Sequence, residues 1–303
     1  MKIVFFGTPD FVLPILESIY KTYGLDRENN TLIVVTQPPK PQGREKTKEF
    51  SPVDHWAFKK HLTVLTNINE TPEADLGVVA AYGAFIPQSV IERFKYGILN
   101  IHPSLLPKYR GASPIQAAIA LGEREVGVSV IMLDREMDHG PIVSQFRETI
   151  QENDTNISLR TKLFERSAEF LIELIPSYLE GKIRLKEQDH AKASFCRIIE
   201  KQDGFISFSA LKLVREGKAS EEKIIVSFCD NCELLLNGKN VHNFIRALTP
   251  WPGVWTKIEI KNEEKRLKIL EAHLEGEKLV LDMVQLEGKD PVNWKQFEEG
   301  YKL

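Results

Sequence analysis

Asn100 and His102 stand two residues apart at the end of an apolar run, Tyr96-Gly97-Ile98-Leu99, and a carboxylate, Asp138, follows a second apolar run over 126–133. On an extended strand, residues i and i+2 share a face. One amide donor and one imidazole therefore project together, just ahead of the turn His102-Pro103-Ser104-Leu105-Leu106-Pro107. The amide can donate to a developing oxyanion, and the imidazole can donate a second bond or hold a nucleophile's proton. The carboxylate can polarise an attacking amine and help remove its proton. Such a trio at strand ends suits an acyl transfer through a tetrahedral intermediate. A turn-forming Asn or a buried, hydrogen-bonded His would each be ordinary alone; the pairing is better explained by chemistry. His139, beside Gly140-Pro141, reads as local structure or pocket lining.

The elements that must position the trio follow from the apolar pattern. Short continuous runs at 3–6, 32–35, 76–81, 98–101, 126–133 and 142–150 read as buried strands. Helical patterns lie at 11–20, 87–94, 113–121 and 156–179, and Ser51-Pro52-Val53 is a helix start with Pro at the first helical position. Strands alternating with helices predict an α/β, Rossmann-like, mostly parallel sheet covered on both faces. Ligands of such sheets sit at the carboxyl ends of the strands, where Tyr82-Gly83, Asn100-Ile101-His102 and the 134–138 stretch all fall. Gly7-Thr8-Pro9-Asp10 stands where a dinucleotide-binding protein would carry GxGxxG, but it has one glycine and a proline without an N–H. That argues against a nicotinamide enzyme. Residues 36–44 are too dense in Pro and Gly for regular structure.

From about residue 203 the pattern changes to short alternating segments, at 223–228, 233–236, 254–260, 267–273 and 278–285. These predict a small C-terminal β-barrel, OB-like domain over 203–303, joined to a catalytic domain over 1–181 by a basic linker, 182–202. The length of 303 residues allows two cores. A net charge of −3 is too small to argue for a partner, so only local clusters count. The stretch from Lys201 to Leu303 carries 16 Lys/Arg against 17 Asp/Glu, so any grip on nucleic acid there needs a local patch. The linker cations and Arg246 are the places to look. Three cysteines are no disulfide framework for this size. Cys229-x-x-Cys232 is half a zinc knuckle whose only completions, Cys196 and His242, are oddly spaced; two unrelated thiols on a β-hairpin, with no metal, is the better reading. The apolar start is broken by Gly-Thr-Pro-Asp before a signal-peptide core can form. A cytoplasmic protein without a membrane partner is expected.

Asn100-x-His102, the run Ser104-Leu105-Leu106-Pro107-Lys108-Tyr109-Arg110-Gly111 and Met137-Asp138-His139-Gly140 together resemble the 10-formyltetrahydrofolate-dependent formyltransferases. Three further stretches resemble the branch of that family that formylates initiator methionyl-tRNA: the run from Ile3 to Phe11, Thr36-Gln37-Pro38 through Gly43-Arg44, and Arg246-Ala247-Leu248-Thr249-Pro250-Trp251-Pro252-Gly253. The resemblance spans about 1–208 and 239–303, leaving 209–238 as an apparent insertion. It implies a Rossmann-like catalytic domain, a C-terminal β-barrel, 10-formyltetrahydrofolate as formyl donor and initiator methionyl-tRNA as acceptor; separately, a monomer is expected. It assigns catalysis to Asn100, His102 and Asp138, and folate binding to Ser104, Leu105, Leu106 and Pro107; the strand-end position of Tyr82 and Gly83 adds them to the expected folate site. It also implies that the loop over 36–50 enters the acceptor end of the tRNA with Arg44 as its key cation. The loop's own composition agrees: Lys40, Arg44, Lys46 and Lys48 outnumber Glu45 and Glu49 on a Pro-stiffened segment, which can neutralise phosphates without reading sequence. Two alternatives remain. A formyltransferase for an amino sugar nucleotide would share the trio but has no use for the basic loop, and a non-catalytic tRNA binder has no use for the trio.

Overall fold

The computed structural model describes residues 1–25, 31–42, 47–218 and 220–301. They form two compact units: Met1–Arg110 with Gly127–Glu148 and Arg160–Ala193, and Gly111–Val126 with Thr149–Leu159 and Ser194–Leu303.

The first unit holds strands β1 (Lys2–Gly7), β2 (Thr31–Val35), β3 (Lys40–Gln42), β4 (Thr47–Glu49), β5 (Thr63–Leu65), β6 (Leu76–Ala80) and β7 (Ile98–His102). After β8 (Arg110–Gly111) come β9 (Glu125–Met132) and β10 (Ile142–Thr149). Seven of them make one sheet in the order β10-β9-β7-β6-β1-β2-β5. The pairs β1–β2, β1–β6, β2–β5 and β6–β7 are parallel. The apolar runs are why: Val4, Phe6, Val35, Val79 and Ile98 are buried in one cluster, as fits strands covered on both faces. The chain leaves β1 toward β2 on one side and returns to β6 on the other, so the ends of β1 and β6 mark the switch point at which ligands of such sheets bind. Thr8 Oγ1 bridges these ends, donating to the Tyr82 carbonyl at 2.8 Å. The helix Pro52–Lys59 starts as its sequence requires, with Ser51 Oγ accepting the Asp54 N–H at 3.0 Å. The helix Asn156–Leu179 buries Leu159, Leu163, Leu171 and Ile175.

Several elements depart from the sequence reading. Residues 36–44 were expected to be irregular, yet β3 and β4 pair antiparallel, Pro41 opposite Lys48; proline is tolerated on such an edge because its missing N–H faces away from the partner. The edge strand β5, only three residues long, gave too short a signal to read. The helical pattern over 87–94 forms a helix only at Gln88–Ile91. The largest difference is the direction of β9, which runs antiparallel to β7 with Leu99 opposite Met132 and His102 opposite Ser129. Its carboxyl end therefore lies beside the start of β7, and the 133–141 loop must return toward Asn100.

The second unit contains β11 (Phe195–Cys196), the hairpin of β12 (Ser220–Ile225) and β13 (Glu233–Leu236), and an antiparallel sheet of β14 (Val254–Ile260), β15 (Glu263–Glu275), β16 (Lys278–Leu286) and β17 (Val292–Asn293) in that order. Among the described residues no ladder joins β14 to β17, so the β-rich half is an antiparallel sheet backed by the helix Gly238–Leu248. That helix buries Val241, Phe244, Ile245 and Leu248 on one face, the spacing of an apolar stripe. The β12–β13 hairpin lies in the apparent insertion, with Cys229 and Cys232 in its turn. The turn sets these two side chains next to each other, their Cα atoms 5.6 Å apart.

Candidate active site

Asn100 and His102 project from the same face of β7, and the returning loop lays Asp138 against both. Asn100 Nδ2 donates to Asp138 Oδ1 at 3.0 Å. His102 Nδ1 lies 3.5 Å from Asp138 Oδ2. Asp138 is 8% exposed and His102 4%, so one carboxylate is gathered by an amide and an imidazole with little water present. His102 Nε2 meets the Tyr109 carbonyl at 2.9 Å. A carbonyl only accepts, so Nε2 carries the hydrogen, and Nδ1 of the neutral ring is left as an acceptor facing the carboxylate. Ring and carboxylate are thereby arranged to hold one proton between them. Tyr109 and Asp138 both adopt left-handed backbone, φ 61° and 52°; in a residue with a β-carbon this costs about 1–2 kcal/mol, and here it aims a carbonyl at His102 and a carboxylate at Asn100.

The Asp138 backbone is also held. Gln188 Nε2 donates to the carbonyls of Asp138 at 2.9 Å and Gly140 at 2.8 Å. Gln188 Oε1 accepts from Arg110 Nη2 at 2.7 Å and Nε at 3.3 Å. The buried Arg110 also reaches His190 Nδ1 at 2.8 Å. Burial lowers the Arg110 pKa, while Asp138, Asp134 and Glu136 pull it back up. His190 stacks on His139 with ring centroids 4.0 Å apart, and His139 Nδ1 meets Asp134 Oδ2 at 2.7 Å, which makes His139 local structure and wall at once. Sequence reasoning quoted Arg110 only within the run 104–111 and gave it no role, and it missed Gln188, which lies in a segment with no periodicity.

The Ser104–Pro107 turn is anchored from beneath. Ser104 Oγ donates to the Lys108 carbonyl at 2.6 Å. Ser129 Oγ, fully buried on β9, donates to the Ser104 carbonyl at 2.6 Å and accepts the Leu106 N–H at 3.0 Å. Gln145 Nε2 donates to Ser129 Oγ at 2.7 Å and to the Leu106 carbonyl at 3.1 Å. Ser104 and Leu106 thus face the interior, and Leu105 and Pro107 are the half-exposed members of the turn. Tyr82 is likewise an interior residue: its ring packs edge-on to Phe6 and burial raises its pKa, whereas Gly83 beside it is exposed. A cavity of about 360 Å³ beside the Asp138 loop is lined by Ile91, Leu133, Asp134, Arg135, Glu136 and His139. Gln88 completes the lining, which is polar or charged apart from Ile91 and Leu133. No group of three His, Cys, Asp or Glu residues among those described is placed to hold a metal ion.

Of the loop cations, Lys40 and Lys48 are exposed on β3 and β4, and Arg44 and Lys46 lie outside the described residues. Arg246 does not serve as a free basic patch. Its Nη1 is spent on the carbonyls of Asp154 and Gln151 and its Nη2 on Asn243 Oδ1. Among the linker cations, Lys192 pairs with Asp189 at 2.7 Å and Arg197 with Asp203 at 2.6 Å. No helix of the described residues is long and apolar enough to cross a membrane.

Comparison with known proteins adds the following. The formyl transferase family model matches residues 1–175, and that of the formyl transferase C-terminal domain matches 234–280. The chain is 32% identical to the methionyl-tRNA formyltransferase of Sulfurihydrogenibium sp., over 100% of this chain and 98% of that one. It is 34% identical to the methionyl-tRNA formyltransferase of Listeria welshimeri, over 92% of this chain and 81% of that one. Among solved structures, the N-formyltransferase of Helicobacter canadensis, in complex with folinic acid and dTDP-3-aminofucose, superposes with a TM-score of 0.63 at 20% identity, over 91% of this chain and 89% of that one. At that identity the likeness speaks to fold.

Proposed function

Because this chain belongs to the formyl transferase family, we propose that it transfers the formyl group of 10-formyltetrahydrofolate to the free α-amino group of initiator methionyl-tRNA. The observation that carries the reading is the single carboxylate of Asp138 set between Asn100 Nδ2 at 3.0 Å and His102 Nδ1 at 3.5 Å, in a chain whose relatives bear that activity in their names.

The chemistry balances with these groups alone. The amine nitrogen bonds to the formyl carbon while the carbonyl π pair moves onto oxygen. Asn100 Nδ2 has a second hydrogen beyond the one given to Asp138, and it donates that hydrogen to the oxygen as charge develops. The nitrogen's surplus proton passes to the Asp138–His102 pair. When the carbonyl re-forms, the bond to N10 breaks, and the held proton goes to N10 of the departing tetrahydrofolate. The proton lost by the nucleophile is the one needed by the leaving group, so no outside acid is consumed. Both ring nitrogens of His102 are engaged, by Tyr109 and Asp138, so its part is the proton rather than the oxyanion.

The folate lies along Leu105, Pro107 and the backbone at Gly83, where the turn on Ser129 offers a fixed edge, and the cavity beside the Asp138 loop takes a ring against Ile91 and Leu133. The loop of Lys40, Arg44, Lys46 and Lys48 meets the phosphates of the acceptor end. A sugar-nucleotide acceptor is the competing reading, supported by the fold likeness to the Helicobacter canadensis enzyme; the basic loop and the identity to methionyl-tRNA formyltransferases favour tRNA. The test is formyl transfer from 10-formyltetrahydrofolate to charged initiator methionyl-tRNA, run beside uncharged tRNA and an amino sugar nucleotide. Transfer to the charged tRNA alone is expected. Transfer only to the sugar would keep the trio and overturn the acceptor, and no transfer to either would overturn both.

A further inference from the structure

Asp138 lies in a loop and adopts left-handed backbone, φ 52°, so its carboxylate is aimed only as well as its main chain is held. The grip comes from one amide. Gln188 donates to the carbonyls of both Asp138 and Gly140, 2.9 and 2.8 Å, bracketing the residue that follows the carboxylate. Its oxygen accepts the Arg110 guanidinium at 2.7 and 3.3 Å, which fixes which way the amide faces. The backbone beneath is fixed as well, since Lys186, two residues before, exchanges hydrogen bonds of 2.8 and 2.9 Å with Ile142 at the start of β10. Gln188 is 5% exposed and Arg110 3%. A buried amide of this kind could serve stability alone, but both of its donors go to the one loop that carries the carboxylate, and none goes to a neighbouring element.

We propose that Gln188, oriented by Arg110, is a positioning residue for the reaction, setting the Asp138 carboxylate against Asn100 and His102. Gln188 touches no reacting atom and acts through Asp138, so this rests on the reading of Asp138 as the group that receives the amine's proton.

The test uses the full chain and the formylation assay, with Gln188→Met, Gln188→Glu, Asp138→Asn and the double variant Gln188→Met/Asp138→Asn, each checked for its thermal midpoint. Methionine keeps the volume and removes both donors. Glutamate is near-isosteric, keeps the arginine and offers no donor to the carbonyls, so it carries the test if methionine fails to fold. Either change is expected to lower kcat about 10- to 100-fold, the cost of displacing a catalytic group by about 1 Å, with KM for both substrates little changed. In the Asp138→Asn background the same change is expected to cost less than about threefold, because residues that act as a unit are not additive. Wild-type turnover in Asp138→Asn would overturn the reading of Asp138 itself. A slow Asp138→Asn beside a wild-type-like Gln188→Met would overturn this proposal alone. So would a Gln188 loss that persists undiminished in the double variant, or one matched by unfolding at the assay temperature.

Discussion

Replacing Asn100 with alanine removes two things at once, and the structure separates them. One hydrogen of Nδ2 is committed to Asp138 Oδ1 at 3.0 Å; the other is the proposed donor to the developing oxyanion. Loss of one oxyanion-hole donor costs about 10²–10³ in kcat, about 3–4 kcal/mol of barrier. The interaction strengthens only as charge builds on the oxygen, so the loss should fall on kcat and leave KM for folate and tRNA nearly unchanged. The ground-state effect is smaller. Asn100 is half-buried, and Asp138 keeps His102 after the change, so the loss of one hydrogen bond to a charged group costs about 1.5–3 kcal/mol at most. For a domain of this size that is a thermal midpoint lowered by about 2–4 °C per kcal/mol. Single-turnover formylation under saturating tRNA and folate reads the chemical step directly, and circular dichroism reads the midpoint. A single-turnover rate within threefold of wild type, or a loss found wholly in KM, would refute the oxyanion role of Asn100, whatever the midpoint showed.

Ser129→Ala should destabilise the protein by about 2–3 kcal/mol, since it strips a buried hydroxyl from the Ser104 carbonyl, the Leu106 N–H and Gln145 Nε2; the folate KM should rise more than kcat falls, and urea midpoints unchanged from wild type would count against the turn's dependence on Ser129. Asp203→Asn tests a pH dependence. Burial pushes the Asp203 pKa up, but the Arg197 fork, the Glu200 N–H and the Ser227 hydroxyl more than offset it and hold it below the usual carboxylate range. A lowered folded pKa contributes stability above the unfolded value, about 3.9, and that contribution is lost as pH falls through the folded value. The variant should therefore be less stable by about 2 kcal/mol near neutrality and the gap should close in acid; a gap independent of pH would sink the assignment. Arg44→Ala should raise KM for tRNA, leave KM for folate alone, and flatten the slope of log affinity against log salt by about 0.9; an unchanged slope would remove Arg44 from the phosphate contacts.

What could be read before the structure was what is local. The parallel core was legible because Ile3 to Phe6 and 76–80 are uninterrupted apolar runs, and the i, i+2 relation of Asn100 and His102 needs only a strand. The direction of β9 was not legible: an apolar run of eight residues reads the same in either direction, and only the pairing of Leu99 with Met132 and His102 with Ser129 shows it antiparallel to β7. The support of the site was hidden for a different reason. Gln188 is 78 residues from Arg110 and 50 from Asp138, so its role exists only once the chain has folded back. Likewise Arg246 looks basic in sequence, and only its burial beside the carbonyls of Gln151 and Asp154 turns it into an internal brace. The pairing of β3 with β4 is hidden by proline density, since the sequence does not say which way the N of Pro41 faces.

The antiparallel β9 brings the loop that carries Asp138 out of the sheet beside the start of β7. The loop closes on its own strand: Met132 N–H donates to the Pro141 carbonyl at 3.0 Å, and Leu133 N–H to Ile98 at 2.8 Å, at the foot of β7. Both ends of the 133–141 stretch are therefore pinned to the sheet. The closure is tight enough to dictate a residue, for a β-carbon at Gly140 would lie 1.9 Å from the Met132 carbonyl oxygen, far inside contact distance with backbone that cannot yield. Between those pins the chain still has freedom about Asp138, whose left-handed φ is not one a loop adopts by default. Gln188 removes that freedom from one side and Asn100 from the other, one bonding the carbonyl and one the carboxylate of the same residue. The Met137-Asp138-His139-Gly140 sequence thus has a mechanical reading. Gly140 permits the loop to close, His139 stacks it on His190, and Asp138 is left with one direction in which to point: toward the amide and imidazole of β7.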